Sequence, residues 1–216
     1  MGAYYYLVSQ LPSLVYGQKP PMLPETFKDL AKSLLKAEDA ALLDMVSLDP
    51  APSEYSGTQG APASSSISYA DQAPSSGSDF IDAWREWERA LRLNLARQRA
   101  VKVKREGAAL AEPPVIPADA ATAAHGAITA VDSPLEADIF LDKARWSAIE
   151  ALQGTDYFDR NTVFAYLLKL LILQRRDSMH TETGFSEYKS LYASIMSGIA
   201  VGGDVQIGVS PVGESK

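Results

Sequence analysis

The run from about Asp79 to about Arg105 constrains the fold most: Phe80, Trp84, Trp87, Leu91 and Leu95 recur there at three- and four-residue spacing. That period puts all five on one side of an α-helix, with Ser78 placed to cap it. Arg85, Arg89, Arg92 and Arg99 are expected on nearly the opposite side. A solvated face is the ordinary reading of such a row, and an arginine stripe for an acidic partner is the functional one. Asn94, at the edge of the apolar side, reads as a buried hydrogen-bonding residue.

The other helical signals agree with this one. Pro24 and Glu25 open a segment in which Phe27, Leu30, Leu34 and Leu35 share a side, and Leu42, Leu43 and Val46 follow as the apolar side of a second helix. The two make a helical hairpin. Ser133, Pro134 and Glu136 give the clearest helix start, a capping box with proline at the first helical position. Leu135, Ile139, Trp146 and Ile149 are the expected core side of that helix. Gly154 ends it, and Asp159 or Asn161 caps the next, which carries Val163, Tyr166, Leu167, Leu170 and Leu173. The two are expected to pack antiparallel. A last helix spans roughly Phe185 to Met196, with Tyr188, Leu191, Tyr192 and Ile195.

Two stretches interrupt this pattern. From Pro50 to Ser78, serine, proline, glycine and alanine surround a few isolated apolar residues, too few to offset the entropy of ordering the backbone. From Gly107 to Val131 the chain is alanine-rich but broken at Pro113, Pro114 and Pro117, which argues against a long helix there. The opening Tyr4 to Val8 reads either as a strand or as an aromatic segment packed between helices, the second being preferred. The expected fold is mainly α, a bundle of five to six helices with two long flexible loops and a disordered tail. Its parts are an N-terminal aromatic segment and hairpin (1–48), a Ser/Pro/Ala loop (49–78), the long amphipathic helix (79–106), an Ala/Pro loop (107–131), C-terminal helices on the same core (132–197) and a tail (198–216).

With 216 residues, 46% of them hydrophobic, the chain can build one substantial core or two small ones. A net charge of −7 argues against a general nucleic-acid surface, which needs a basic field. There is no cysteine, so disulfides and thiolate metal sites are excluded. Tyr4 to Val8 is too short for a signal sequence and lacks a preceding cation, and Val163 to Leu173 is too short to cross a bilayer, which needs ~20 apolar residues. A cytoplasmic protein is expected.

The chemical readings are sparse. His125 and His180 are the only imidazoles, and both read as surface residues. No phosphate-binding loop, dinucleotide fingerprint, zinc spacing or nucleophile elbow is present in the sequence. The pairs Glu136 with Asp138 and Asp156 with Asp159 sit at helix starts, where capping and dipole interactions account for them. Neither a catalytic residue, a metal site nor a cofactor is expected. The basic end of the long helix, Arg97, Arg99, Lys102, Lys104 and Arg105, creates a local positive potential with no nucleic-acid-reading motif beside it, so a protein partner is the better expectation.

Tyr4 to Pro12, the Trp84 to Arg99 helix and the Asp159 to Asp177 stretch together resemble an uncharacterised bacterial family encoded beside V-type ATPase subunits. Leu135-Glu136, Leu141-Asp142 and the later helix with Tyr166 are also similar to the Leu-Glu and Leu-Asp pattern of the helical C, or d, subunit of V/A-type ATPases. That subunit joins the central rotor stalk to the membrane ring. The chain is short for the three-part adapter, lacks the Asn-Leu neighbours of the Arg175-Arg176 pair, and carries two loops without a counterpart.

The resemblance implies a non-enzymatic accessory or central-stalk adapter at the cytoplasmic face of the inner membrane, meeting stalk and ring subunits through helices. Arg85, Arg89, Arg92, Arg99, Lys102, Lys104 and Arg105 are the expected partner-binding residues. Two other expectations stand beside it: a free-standing adaptor that binds an acidic protein or nucleic acid through the same basic face, and a small hydrolase using unrecognised carboxylates.

Overall fold

The computed structural model describes residues 4–49, 75–103, 117–130, 133–179, 189–192 and 194. The expected loop over 50–74, the first part of the expected Ala/Pro loop, His180 and the tail fall outside them. The chain divides into two compact units, Met1–Asp177 and Ser178–Lys216. Among the described residues every regular element is a helix, as the apolar periodicity requires.

Short helix α1 (Tyr5–Gln10) leads to α2 (Pro24–Leu34) and α3 (Ala37–Asp44). Tyr4 to Val8 is thus the start of a helix; Leu7 and Tyr4 are buried, while Tyr5 and Tyr6 face outward. Proline opens α2 at its first position, where its missing N–H costs nothing. Phe27 and Ala31 of α2 and Leu43 and Val46 at the end of α3 enter the core. Lys32 and Asp44 tie the two helices at 2.7 Å.

Helix α4 (Asp79–Lys102) is the long rod, and its five expected apolar residues are all buried. Ser78 occupies the cap position without making a cap bond. The loop before it folds back instead, so that Asp82 accepts hydrogen bonds from Ser75 Oγ at 2.6 Å and from the Ser76 N–H at 2.8 Å.

Helix α5 (Ala118–Thr129) corrects the expectation of loop over 107–131. The proline that argued against a helix, Pro117, sits just before it, at the cap position, where its fixed φ does no harm. Ala120, Ala123, Ala124 and Ala127 form its buried stripe. These small side chains let its backbone approach α4 and α6 closely, and Trp87 Nε1 donates to Asp119 at 2.7 Å.

Helices α6 (Pro134–Gln153) and α7 (Arg160–Ser178) are joined by a turn in which Gly154 takes φ +80°, the left-handed region expected of it. Ser133, like Ser78, sits at the cap position without a cap bond. Asp159 does cap α7, accepting from the Thr162 N–H at 2.9 Å. Val163, Phe164, Ala165, Leu167, Leu168, Leu170, Ile172 and Leu173 are buried on all sides of α7, which makes it the centre of the bundle. Phe164 meets Phe80 of α4 and Tyr166 meets Phe27 of α2. Tyr166 also donates to the Pro12 carbonyl at 3.0 Å, fastening the segment after α1.

On α6 the core side differs from expectation. Trp146 and Ile149 are buried, but Leu135 and Ile139 are 38% and 37% exposed. The buried arc runs through Leu141, Asp142, Arg145 and Ile149, so it is centred on charges and leaves Leu135 and Ile139 at its edge. In the second unit, residues 189–192 and 194 are helical, with Leu191 and Tyr192 exposed. Among the described residues no helix is long and apolar enough to cross a membrane.

Candidate functional site

Helix α4 carries three chemically distinct surfaces. The first is internal. Glu88 lies within its apolar stripe, four residues after Trp84 and three before Leu91, and is fully buried. Its carboxylate accepts from Arg145 Nε at 3.0 Å, Arg145 Nη2 at 2.9 Å and Arg92 Nε at 3.0 Å. Arg145 in turn reaches Asp142 Oδ1 at 3.2 Å, and Arg175 of α7 bonds the same oxygen. Arg92 continues outward to Asp49 at 2.7 Å. The result is a chain of alternating charges, Asp49, Arg92, Glu88, Arg145, Asp142 and Arg175, which cross-ties α4, α6 and α7. Desolvating ions is costly, and such a chain persists because each charge meets its opposite with directed hydrogen bonds. Among the described residues Asp142 Oδ2, which is buried, has no hydrogen-bond partner.

The second surface holds the arginine row. Arg85 lies 4.0 Å from Asp82, and Arg89 makes a two-pronged bond to Glu86 at 2.9 and 2.7 Å. The side chains of Arg85, Arg89 and Arg92 are 19%, 26% and 36% exposed. Arg89 stands nearly opposite the apolar stripe, as expected, but Arg85 and Arg92 do not. At about 100° per residue, Arg85, Arg92 and Arg99 recur every seventh position and track its flank. Burial lowers the Arg92 guanidinium, but its bonds to Glu88 and Asp49 more than offset this and hold it above the ordinary range. Arg85, Arg89 and Arg92 therefore serve the bundle's own carboxylates.

The third surface is the end of α4. Nothing after Leu95 is buried up to Val103; Arg97, Arg99, Val101, Lys102 and Val103 are exposed. Arg99 and Lys102 are thus displayed, while Lys104 and Arg105 lie outside the described residues. Arg99 and Lys102 are separated from the paired row by two turns of helix. The seven expected partner-binding residues divide accordingly between a neutralised flank and a cationic tip.

A further feature escaped sequence reading. Tyr4 donates its phenol to Asp39, which also lies 3.5 Å from Arg160, and the Lys36 N–H reaches the phenol at 3.4 Å. Burial pushes the Tyr4 phenol up and the bond to Asp39 adds to this, against opposing effects from the Lys36 backbone and Arg160. A neutral phenol at this place acts as a permanent donor that pins the start of the first helix to α3, whose Asp39 is in turn paired with Arg160 of α7. The open cleft beside it has a volume of about 260 Å³.

The other candidates fall in structural positions. His125 is exposed on α5. Asp156 accepts from the Phe158 N–H at 3.0 Å, a turn contact, and Asp159 is the cap already described. Asn94 is half-buried and donates to the Ala90 carbonyl at 2.8 Å. Among the described residues no group of three or more His, Asp or Glu is placed to hold a metal ion. The signal for the buried chain was present: Glu88 at a core position of one helix and an Asp142–Arg145 pair on the core side of another.

Comparisons with protein-family models, with curated proteins and with solved structures gave no match to this chain.

Proposed function

We propose that this protein is a non-enzymatic helical component that works by protein contact, as an accessory or central-stalk adapter part of a bacterial V-type ATPase, held at the cytoplasmic face of the membrane by its partners. The observation that carries the contact reading is the division of α4. Its middle is consumed by the bundle's own ion pairs, whereas its last two turns present Arg99, Lys102 and two valines to the outside. An element that leaves its own core in this way is available to another chain. The ATPase assignment rests on the resemblance in Tyr4 to Pro12, the Trp84 to Arg99 helix and the Asp159 to Asp177 stretch.

Affinity purification of the tagged full chain from mildly solubilised native membranes tests it. The expected result is recovery of ATPase subunits in a fixed ratio, reduced when Arg99, Lys102, Lys104 and Arg105 are changed to glutamate. Recovery without any ATPase subunit removes the assignment. Preferential recovery of nucleic acid, falling steeply with salt, replaces it with the free-standing adaptor.

A further inference from the structure

From Leu11 to Leu23 the chain crosses the surface without a helix and without one buried residue, although Leu7 before it and Pro24 after it are both buried. Leu11, Leu14, Tyr16 and Met22 rest partly buried against the core, and Val15 is exposed. Midway the Gln18 N–H donates to the Val15 carbonyl at 3.1 Å, closing a turn in which Gly17 takes φ +87°. Two phenols hold the segment to the bundle: Tyr166 donates to the Pro12 carbonyl at 3.0 Å, and Tyr16 donates to the Ile139 carbonyl of α6 at 2.8 Å. The Tyr16 ring meets Trp146 edge-on, with centroids 5.5 Å apart, and lies 4.6 Å from the Arg176 guanidinium of α7.

This closure carries an opposing cost. Arg176 Nη1 is buried and, among the described residues, has no hydrogen-bond partner. The penalty for burying a charged donor unmet is of the same order as the attraction between a cation and a phenol ring, so the two largely offset. Both phenol–carbonyl bonds are readily exchanged for bonds to water. What remains to hold the segment is a set of half-buried contacts.

The segment also covers something. Leu135, Ile139 and Trp146 follow one another at four- and seven-residue spacing and share a side of α6. Leu135 and Ile139 are open to solvent, whereas Trp146, where Tyr16 sits, is only 8% exposed. The apolar row is thus open at one end and closed at the other by the segment.

We infer that residues 11–23 are a strap that lifts from α6 and α7 as a unit while the bundle stays folded. Lifting returns Arg176 Nη1 to water and extends the open apolar row of α6 from Ile139 to Trp146. Leu7 and Phe27, both in the core, keep the flanking helices in place. The opening is a local one, at a free energy below that of global unfolding.

Fluorine NMR of the full chain carrying fluorotryptophan tests this, with Trp84, Trp87 and Trp146 as the three tryptophans, assigned by single Trp→Phe changes. Saturation transfer is expected to link the Trp146 signal to a minor state whose shift differs between light and heavy water, as that of an exposed fluorine does. Trp84 and Trp87, buried in α4, should show no such state at that population. Tyr16→Phe, which removes only the bond to the Ile139 carbonyl, should raise the minor population about two- to tenfold at unchanged circular dichroism. Urea below the unfolding transition should change it little, because little surface is exposed. No minor Trp146 state in either chain, a minor state shared equally by all three tryptophans, or a population indifferent to Tyr16→Phe overturns the inference.

Discussion

Glu88 is the buried charge through which α4 is tied to α6. Its carboxylate serves Arg145 and Arg92 in the interior, and Arg145 is only 8% exposed. Removing one member of a buried pair strands the other in a medium that solvates it poorly, at a cost of ~3–5 kcal/mol, whereas an exposed pair is worth ~0–1 kcal/mol. Glu88→Gln should therefore lower the unfolding free energy several-fold more than Glu86→Gln, although both remove one carboxylate from the same helix. Urea denaturation of the two variants measures the difference. Equal losses would show that Arg145 finds other partners. Tyr166 gives a pH-dependent counterpart. Burial pushes its phenol up to about 12 from an ordinary 10.0. A folded-state value above the unfolded one means stability fully present below pH 10 and lost as pH rises toward 12. The full chain should lose stability across that window, and Tyr166→Phe should flatten the loss while costing ~0.5–1.5 kcal/mol at neutral pH through its bond to the Pro12 carbonyl. Thermal melts at pH 7 and pH 11 separate the two effects.

At the scale of elements, the helices built on large apolar residues were legible in the sequence and the helix built on alanine was not. In α4 and α7, tryptophan, phenylalanine and leucine mark the buried side, and the spacing alone places them. In α5, Ala120, Ala123, Ala124 and Ala127 have the same helical spacing, but alanine marks a face weakly and the prolines upstream drew attention to a break. The pairing of the expected partner-binding arginines within the bundle was only half legible for a related reason. Sequence counts charges along a helix without their neighbours, and the carboxylate that neutralises Arg92 from outside its own helix, Asp49, lies 43 positions away. The alanine interface has its own test. Gly126 is a helical glycine of α5, and a Cβ there would stand 2.8 Å from the ring tip of Phe140, a side chain of α6 that is itself 38% exposed. Alanine in a helix interior is favoured over glycine by ~1 kcal/mol, but the ring must swing outward to admit it. Gly126→Ala is expected to gain less than that, and the same change in a Phe140→Ala background to gain the full amount. A double-mutant cycle by chemical denaturation reads the coupling; two equal gains would mean that the ring does not resist.

For the whole molecule, the core among the described residues runs from Tyr4 to Leu173, inside the first compact unit, and one helix supplies its centre. Seven large apolar side chains of α7 are buried, Val163, Phe164, Leu167, Leu168, Leu170, Ile172 and Leu173. At ~1.5–3 kcal/mol each, they contribute on the order of 10–20 kcal/mol, as much as the entire net stability of a typical domain. The buried charge chain adds direction to this: Arg175 of α7 meets Asp142 of α6, and Arg145 of α6 meets Glu88 of α4, so directed ion pairs as well as apolar packing fix the register of the three rods. Two truncations distinguish the contributions. Ending the chain after Ser178 retains every core residue among the described ones and every link of the charge chain. It should keep a single cooperative transition, with a midpoint within about 2–4 °C of the full chain, the shift that ~1 kcal/mol produces at this size. Ending it after Gln153 removes α7 and uncovers the apolar sides of α2, α4 and α6 together. That chain should show no cooperative transition by calorimetry or circular dichroism while retaining some helix, because propensity survives the loss of packing and tertiary order does not. A cooperative transition in the shorter chain would mean that α4, α5 and α6 close a core of their own, and that α7 is an addition to the bundle instead of its axis.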